Sequence, residues 1–228
     1  MISTLRMLSR LGGLTIPACL LAHAVASAQS HGQVLVDNEF GRAVTSLRVT
    51  GAPVASSSAQ GAVVVFLTAG LITPQGAEVH DTVRRIGVGD ILWIPPGGLT
   101  SRVVSADPIG QVRIALRMPP IGTPWTTPLD PLTTDSGQYS LVLENDPVRV
   151  MRVKVRPSEV VGPHEHALRR AVVYLTDMRA RIVAADGAVN VIARKAGEAS
   201  WNPPAKHTEE NLEDAPMDLW SCPVSVDT

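Results

Sequence analysis

The chain repeats itself. Subtracting 108 from the residue numbers lays Gly197, Trp201, Pro203, Pro204 and Thr208 over Gly89, Trp93, Pro95, Pro96 and Thr100. The same offset lays residues 171–176 over 63–68, and an offset one residue smaller lays Leu141-Val-Leu-Glu-Asn145 over Val34-Leu-Val-Asp-Asn38. A supersecondary pattern recurring over about a hundred residues predicts two like domains in tandem, each with its own core.

Within each half the hydrophobic period is two. Val112, Ile114, Leu116 and Met118 alternate with Arg113, Ala115 and Arg117, and Met151, Val153 and Val155 alternate with Arg152, Lys154 and Arg156. No stretch after residue 30 sustains a helical period, and turn clusters such as Thr73-Pro-Gln-Gly76 and Ala185-Asp-Gly187 separate the runs. The expectation is an all-β sandwich or barrel over 29–118 and another over 138–228. Between them, Pro119, Pro120, Pro124, Pro128 and Pro131 exclude regular helix or central strand. Residues 119–137 therefore read as an extended linker, with Trp125, Leu129 and Leu132 available to pack against the domains.

The halves differ at their histidines. In an extended Gly162-Pro-His164-Glu-His166 segment the two imidazoles share one face and Glu165 points the other way. His207 follows a Gly/Pro-punctuated turn, and a hairpin strand returning alongside the first would bring it to the same point. Three neutral imidazoles that converge inside a barrel suit a divalent transition metal. Under the offset, Ser56, Ser58, Leu99 and Val103 stand where His164, His166, His207 and Asn211 stand in the second half. The ligand types are confined to one half, whereas the framework residues occur in both. Against a metal site, His-x-His is a common polar surface pair and a loop histidine can cap a turn. Trp93 and Trp201 read as packing residues because both halves keep them, and His31 and His80 have no motif context. Glu209 and Glu210 read as flanking loop residues.

At these positions the sequence resembles the cupin superfamily. The first family motif is a Gly, five residues, His-x-His, three or four residues and a Glu; the second is a Gly, five residues, Pro, a short gap, His, three residues and Asn. His164, His166, Gly197, Pro203, His207 and Asn211 fall on this pattern. Gly162 lies only two residues before His164, and Arg170 and Ala171 occupy the positions allowed for the Glu. The resemblance implies two tandem cupin-type jelly-roll β-barrels, the first without metal ligands. It implies one divalent ion, Fe, Mn, Ni, Cu or Zn, held by His164, His166 and His207. It further implies a small-molecule ligand or substrate in the barrel mouth, with Arg170, Asn211, Trp201 and Tyr174 as candidate substrate-binding residues, and homodimeric association is an open expectation. Dioxygenase-like or isomerase-like chemistry is one reading of such a site, and non-catalytic capture of a small anion is the other. A guanidinium in the Glu position would repel a cation, unless Arg169 or Arg170 turns inward to hold an anionic substrate. If both lie on the rim, they only solubilise it.

The first 28 residues read as a signal peptide. Arg6 and Arg10 precede an apolar run over 11–25, and Ala26-Ser27-Ala28 is a small-x-small cleavage site. The expectation is a periplasmic or secreted protein beginning at Gln29, with no membrane association after cleavage. Cys19 departs with that segment, leaving Cys222 and no internal disulfide; Cys222 reads as a small buried hydrophobe. Cleavage moves the net charge from −1 to −3, and without any block of like charges nucleic acid is not an expected partner.

Overall fold

The structure, a computed structural model, describes residues 32–56, 58–74, 83–98, 101–120 and 125–225. Residues 1–28, read above as a signal peptide, lie outside the described residues, as do His31, His80, Leu99 and Thr100. The N-terminal half contributes β1 (Gln33–Asp37), β2 (Gly41–Arg48), β3 (Ala62–Phe66), β4 (Gly70–Pro74), β5 (Arg84–Ile86), β6 (Ile91–Ile94), β7 (Ser101–Val103) and β8 (Ile109–Leu116). After a one-turn helix α1 (Pro131–Thr134), the C-terminal half contributes β9 (Tyr139–Glu144), β10 (Arg149–Val155), β11 (Val160–His166), β12 (Arg170–Tyr174), β13 (Met178–Ala184), β14 (Val189–Arg194), β15 (Ala199–Asn202), β16 (Ala205–Asn211) and β17 (Met217–Pro223).

Each half is a pair of facing sheets with jelly-roll connectivity, and the repeat appears in the strand order. One sheet runs β1-β2-β8-β3-β6 in the first half and β9-β10-β17-β12-β15 in the second. The other runs β5-β4-β7 in the first half and β14-β13-β16-β11 in the second. Among the described residues the first half has no counterpart of β11; there a single bridge, Pro53 to Arg102, stands in for the strand. That missing strand is the one that carries His164 and His166.

Alternation explains why central strands are buried on both faces. In β3, Val64 and Phe66 face the interior of their own half with Ile72, Ile86, Ile94 and Val103. In β12, Val172 and Tyr174 likewise face Met151, Val153, Met178 and Leu219. The other face of each strand does not meet water. Val63 and Val65 join Val112, Ile114, Val150, Ala171, Val173, Trp220 and Cys222 in a third cluster that crosses between the halves. The two larger sheets therefore pack on one another, and the expectation of two self-contained cores is corrected: each half has its own core, and a further core is shared. The alternating run of β8 places Val112, Ile114 and Leu116 in that shared layer.

The linker is docked rather than loose. Asp130 caps α1 by accepting from Leu132 N–H at 3.0 Å, and it pairs with Arg149 at 2.7 Å with both side chains buried. The Leu129 carbonyl accepts from Glu165 N–H at 2.8 Å. Trp125 and Leu129 thereby run along the C-terminal half, and Leu132 packs on its core.

Candidate metal centre

β16 lies between β11 and β13, and β11 pairs with it antiparallel. The pair is not a hairpin, because four strands separate the two in sequence; the jelly-roll crossover brings them together. His207 stands directly across from His164 in the ladder, and His166 follows two residues along the same face. A register irregularity between Val161 and His164 sets this phase. The three rings lie with centroids 4.6, 4.9 and 5.4 Å apart, and one nitrogen from each falls within 4.8 Å of the others. All three side chains are buried.

The tautomer of His164 follows from its neighbours. Its Nδ1 lies 2.9 Å from the Gly162 carbonyl oxygen, which only accepts, so Nδ1 carries the proton. Asp135 supports this edge: one carboxylate oxygen accepts from Gly162 N–H at 3.0 Å and the other lies 3.6 Å from Nδ1. Nε2 is left with its lone pair toward the cavity, where it accepts from the Tyr139 hydroxyl at 3.2 Å. His166 and His207 make no side-chain hydrogen bond among the described residues.

Burial is the first cause of the histidines' depressed basicity. It lowers His164, with Gly162 and Asp135 opposing, and lowers His166 well below the usual imidazole range, where Arg170 and the other two rings add to the effect. His207 is brought down to about 3 by burial, then by His164 and Arg170. The three imidazoles are therefore neutral at neutral pH, the state in which they donate to a metal. The donor set fits a divalent transition ion: three neutral nitrogens, one already oriented by a carbonyl and a carboxylate behind it.

His166 and His207 open on a cavity of about 380 Å³ within the C-terminal half, walled by Val153, Met178, Ile182 and Leu219 and reached by Tyr139, Arg170 and Glu209. Arg170 turns inward, is 6% exposed, and donates from Nη1 to the Pro203 carbonyl at 3.0 Å. Arg169 turns the opposite way, with its guanidinium carbon 4.5 Å from the Phe40 ring centroid of the other half. Neither is a rim residue that merely solubilises.

The other sequence-selected residues divide. Tyr174 lines the cavity and shares a 2.9 Å hydrogen bond with Ser200. Asn211 is fully buried but committed elsewhere: its Nδ2 donates to the carbonyls of Val155, Arg156 and Ala215, and its Oδ1 accepts from Glu213 N–H. It ties strand ends together and does not line the cavity. Trp201 stacks on Phe40 with centroids 6.2 Å apart, so it belongs to the layer between the halves. Glu165 points away from the rings, as alternation requires, with Lys206 across the ladder. Cys222 is buried in the shared core, where burial raises its thiol to about 12 and leaves it unreactive.

Two residues at the site were not selected from sequence. Glu209 lies on β16 rather than in a loop, two positions beyond His207 and on the same inward face. Burial raises its carboxyl to about 7, with Arg170 opposing, and it has no hydrogen-bond or ion-pair partner among the described residues. The period-two rule that joined His164 to His166 would have found it once β16 was recognised as a strand. Tyr139 comes from the end of the linker, and no local signal links it to histidines 25 or more residues away.

No family model and no curated protein matches the chain. Solved structures share its fold at low identity. AerE from Microcystis aeruginosa is 10% identical with a TM-score of 0.58, over 86% of this chain and 97% of that one. A cupin 2 conserved barrel domain protein from Leptotrichia buccalis is 12% identical with a TM-score of 0.53, over 86% and 89%. The oxalate decarboxylase of Bacillus subtilis, a protein with Mn(II) centres, is 11% identical with a TM-score of 0.54, over 87% and 76%. With the repeated strand order, these likenesses show that the chain shares its two-domain fold with a cupin 2 conserved barrel domain protein and with oxalate decarboxylase.

Proposed function

We propose that the C-terminal half is a metal-dependent small-molecule enzyme whose centre is one divalent transition ion, Fe, Mn, Ni, Cu or Zn, held by His164, His166 and His207. The observation that carries this reading is the convergence of three buried, neutral imidazoles, two of them with no hydrogen-bond partner for their nitrogens among the described residues. Imidazoles buried for packing alone would be satisfied by protein hydrogen bonds. A bound ion would supply Lewis acidity to a substrate oxygen. Gly162 and Asp135 hold the first ring in its donating tautomer, and Tyr139 presents a hydroxyl beside its Nε2. The apolar wall excludes water from the reacting atoms. With three histidine donors and no carboxylate among them, coordination positions stay open for a ligand, in the manner of dioxygenase-like or isomerase-like sites.

Non-catalytic ligand capture is the second reading, favoured by the buried cation at position 170 where the first cupin motif has its Glu. The deciding experiment begins with metal analysis of untagged protein, expected to give one equivalent per chain. A protein that stays metal-free when supplied with each of the five ions overturns the metal assignment. Turnover of a bound ligand separates enzyme from binding protein.

The protein acts outside the cytoplasm in this proposal, on the basis of Ala26-Ser27-Ala28 and the apolar run before it. Intact mass from the native host is expected to start at Gln29. A soluble cytosolic product retaining residues 1–28 would remove this part of the reading.

A further inference from the structure

Among the described residues two arginines are buried, Arg149 and Arg170, and the first has acidic partners. Arg149 meets Asp130 at 2.7 Å and Glu144 at 2.6 Å, and partly buried Arg152 grips Asp218 through Nε and Nη2 at 2.9 and 2.8 Å. Arg170 is as buried as Arg149, yet among the described residues its guanidinium makes one hydrogen bond, to the Pro203 carbonyl, and no ion pair. A guanidinium keeps its charge at every physiological pH and presents a fork of N–H donors. Leaving that charge desolvated without an anion is costly. The fold does not require it: the offset places Ala62 at the corresponding point, fully buried, in the first half. There Phe66, Ile72, Ile86 and Ile94 fill the interior that the second half leaves open.

We infer that the cavity binds a small organic carboxylate with an apolar body, its carboxylate on the Arg170 fork and its body against Val153, Val172, Met178, Ile182 and Leu219. This rests on reading the cavity as the small-molecule site of the C-terminal half. The cavity's own acid, Glu209, acts on Arg170 through space and without a direct contact. The histidines offer no negative charge, and Glu209, the single carboxyl among the lining residues, forms no ion pair with Arg170. The planar fork matches a carboxylate bidentately, and the second guanidinium among the lining residues, Arg194, is engaged by the Ala193 carbonyl and the Tyr174 ring. The remaining wall is mostly aliphatic, and a volume of about 380 Å³ suits a ligand of modest size rather than a polar diacid.

The test uses phenylacetate and hexanoate against phenylacetamide and hexanamide, titrated calorimetrically into the full protein in metal-loaded and metal-stripped forms. Each amide keeps the body and removes the charge. The expected result is at least tenfold tighter binding of the acids in both forms. In Arg170→Met the preference is expected to disappear, and in Arg170→Lys to survive in part. Equal binding of acid and amide by the wild type, no binding of any probe at millimolar concentration, or an undiminished preference in Arg170→Met would each overturn the inference. If Arg170→Met does not fold, the wild-type comparison and Arg170→Lys decide the matter. Metal content measured alongside keeps the two readings apart. Metal without acid preference sinks this inference alone, and acid preference in a protein that takes up no metal sinks the metal assignment alone.

Discussion

A histidine whose basicity is depressed by folding binds fewer protons native than unfolded, so stability falls as pH falls through the gap. For His207 the gap runs from the ordinary 6.5 down to about 3. Its contribution is complete above about 6.5 and is lost below it, with a slope of up to about 1.4 kcal/mol per pH unit. His164 and His166 act in the same direction. Glu209, raised to about 7, acts in the opposite one: its contribution is complete below the ordinary 4.5 and is lost as pH rises through about 7. Three groups outweigh one. Urea midpoints of metal-stripped protein are expected to fall between pH 7.5 and 5, and more steeply in Glu209→Gln. A flat or rising profile toward pH 5 would mean that the imidazoles are not buried neutral as described. His166→Ala should weaken metal binding at least tenfold while the far-ultraviolet spectrum holds, because the His166 ring faces the cavity and makes no side-chain hydrogen bond among the described residues; unchanged affinity would remove His166 from the ligand set. Two histidines were legible because the strand period puts positions 164 and 166 on one face, and the third through the motif after Gly197. Tyr139 was not legible, because it heads β9 just after the linker and no short-range pattern encodes its approach to the histidines. Asn211 matches the motif in type and Trp201 lies between its Gly and Pro, but their side chains serve strand ends and the layer between the halves, which a one-dimensional pattern does not separate from a ligand wall.

Among the elements, the turns read most clearly from sequence. Gly89 and Gly197 both adopt positive φ, +80° and +84°, and each N–H donates to the carbonyl ending the central strand, Phe66 at 2.7 Å and Tyr174 at 2.8 Å. The acid that follows completes the turn: Asp90 accepts from Gly87 N–H at 2.8 Å and Glu198 from Lys195 N–H at 3.1 Å. The Gly-acid signature is thus a turn requirement, which is why it persists in the half without histidines. The linker was legible only in part. Its prolines exclude long helix, yet α1 forms because Pro131 occupies the first turn, where no N–H is needed, and Asp130 caps it. Its docking depends on Arg149, whose partners lie on two segments. Arg149→Met leaves Asp130 buried and unpaired, for an expected loss of about 3 kcal/mol in chemical denaturation and new protease sensitivity over 125–137. Adding Asp130→Asn should recover part of the loss. A single variant as stable as the parent would show the pair to be dispensable.

Across the whole molecule the two halves meet with near two-fold reciprocity. A side chain at Gly89 would press on Leu175, and one at Gly197 would approach Leu67; Leu67 and Leu175 are themselves related by the offset of 108. Such an arrangement is what an isologous dimer interface becomes when one chain carries both copies. The sequence showed the repeat but not this contact, because an apolar residue at alternate positions reads alike whether it faces its own barrel or a neighbour. Val112, Ile114 and Leu116 look like barrel-interior residues in the alternating pattern and lie instead in the shared layer. Because Val63, Val65, Ile114, Val150, Val173 and Trp220 are buried only while the halves stay together, neither half can unfold without exposing apolar surface on the other. Unfolding is therefore expected as one transition, coincident by tryptophan fluorescence and far-ultraviolet dichroism. Ile114→Ala, in the first half and fully buried, should lower stability by about 2–4 kcal/mol and shift that single transition as a unit, C-terminal tryptophans included. Two separated transitions, with only the first-half signal moved by Ile114→Ala, would show that the shared layer does not couple the domains.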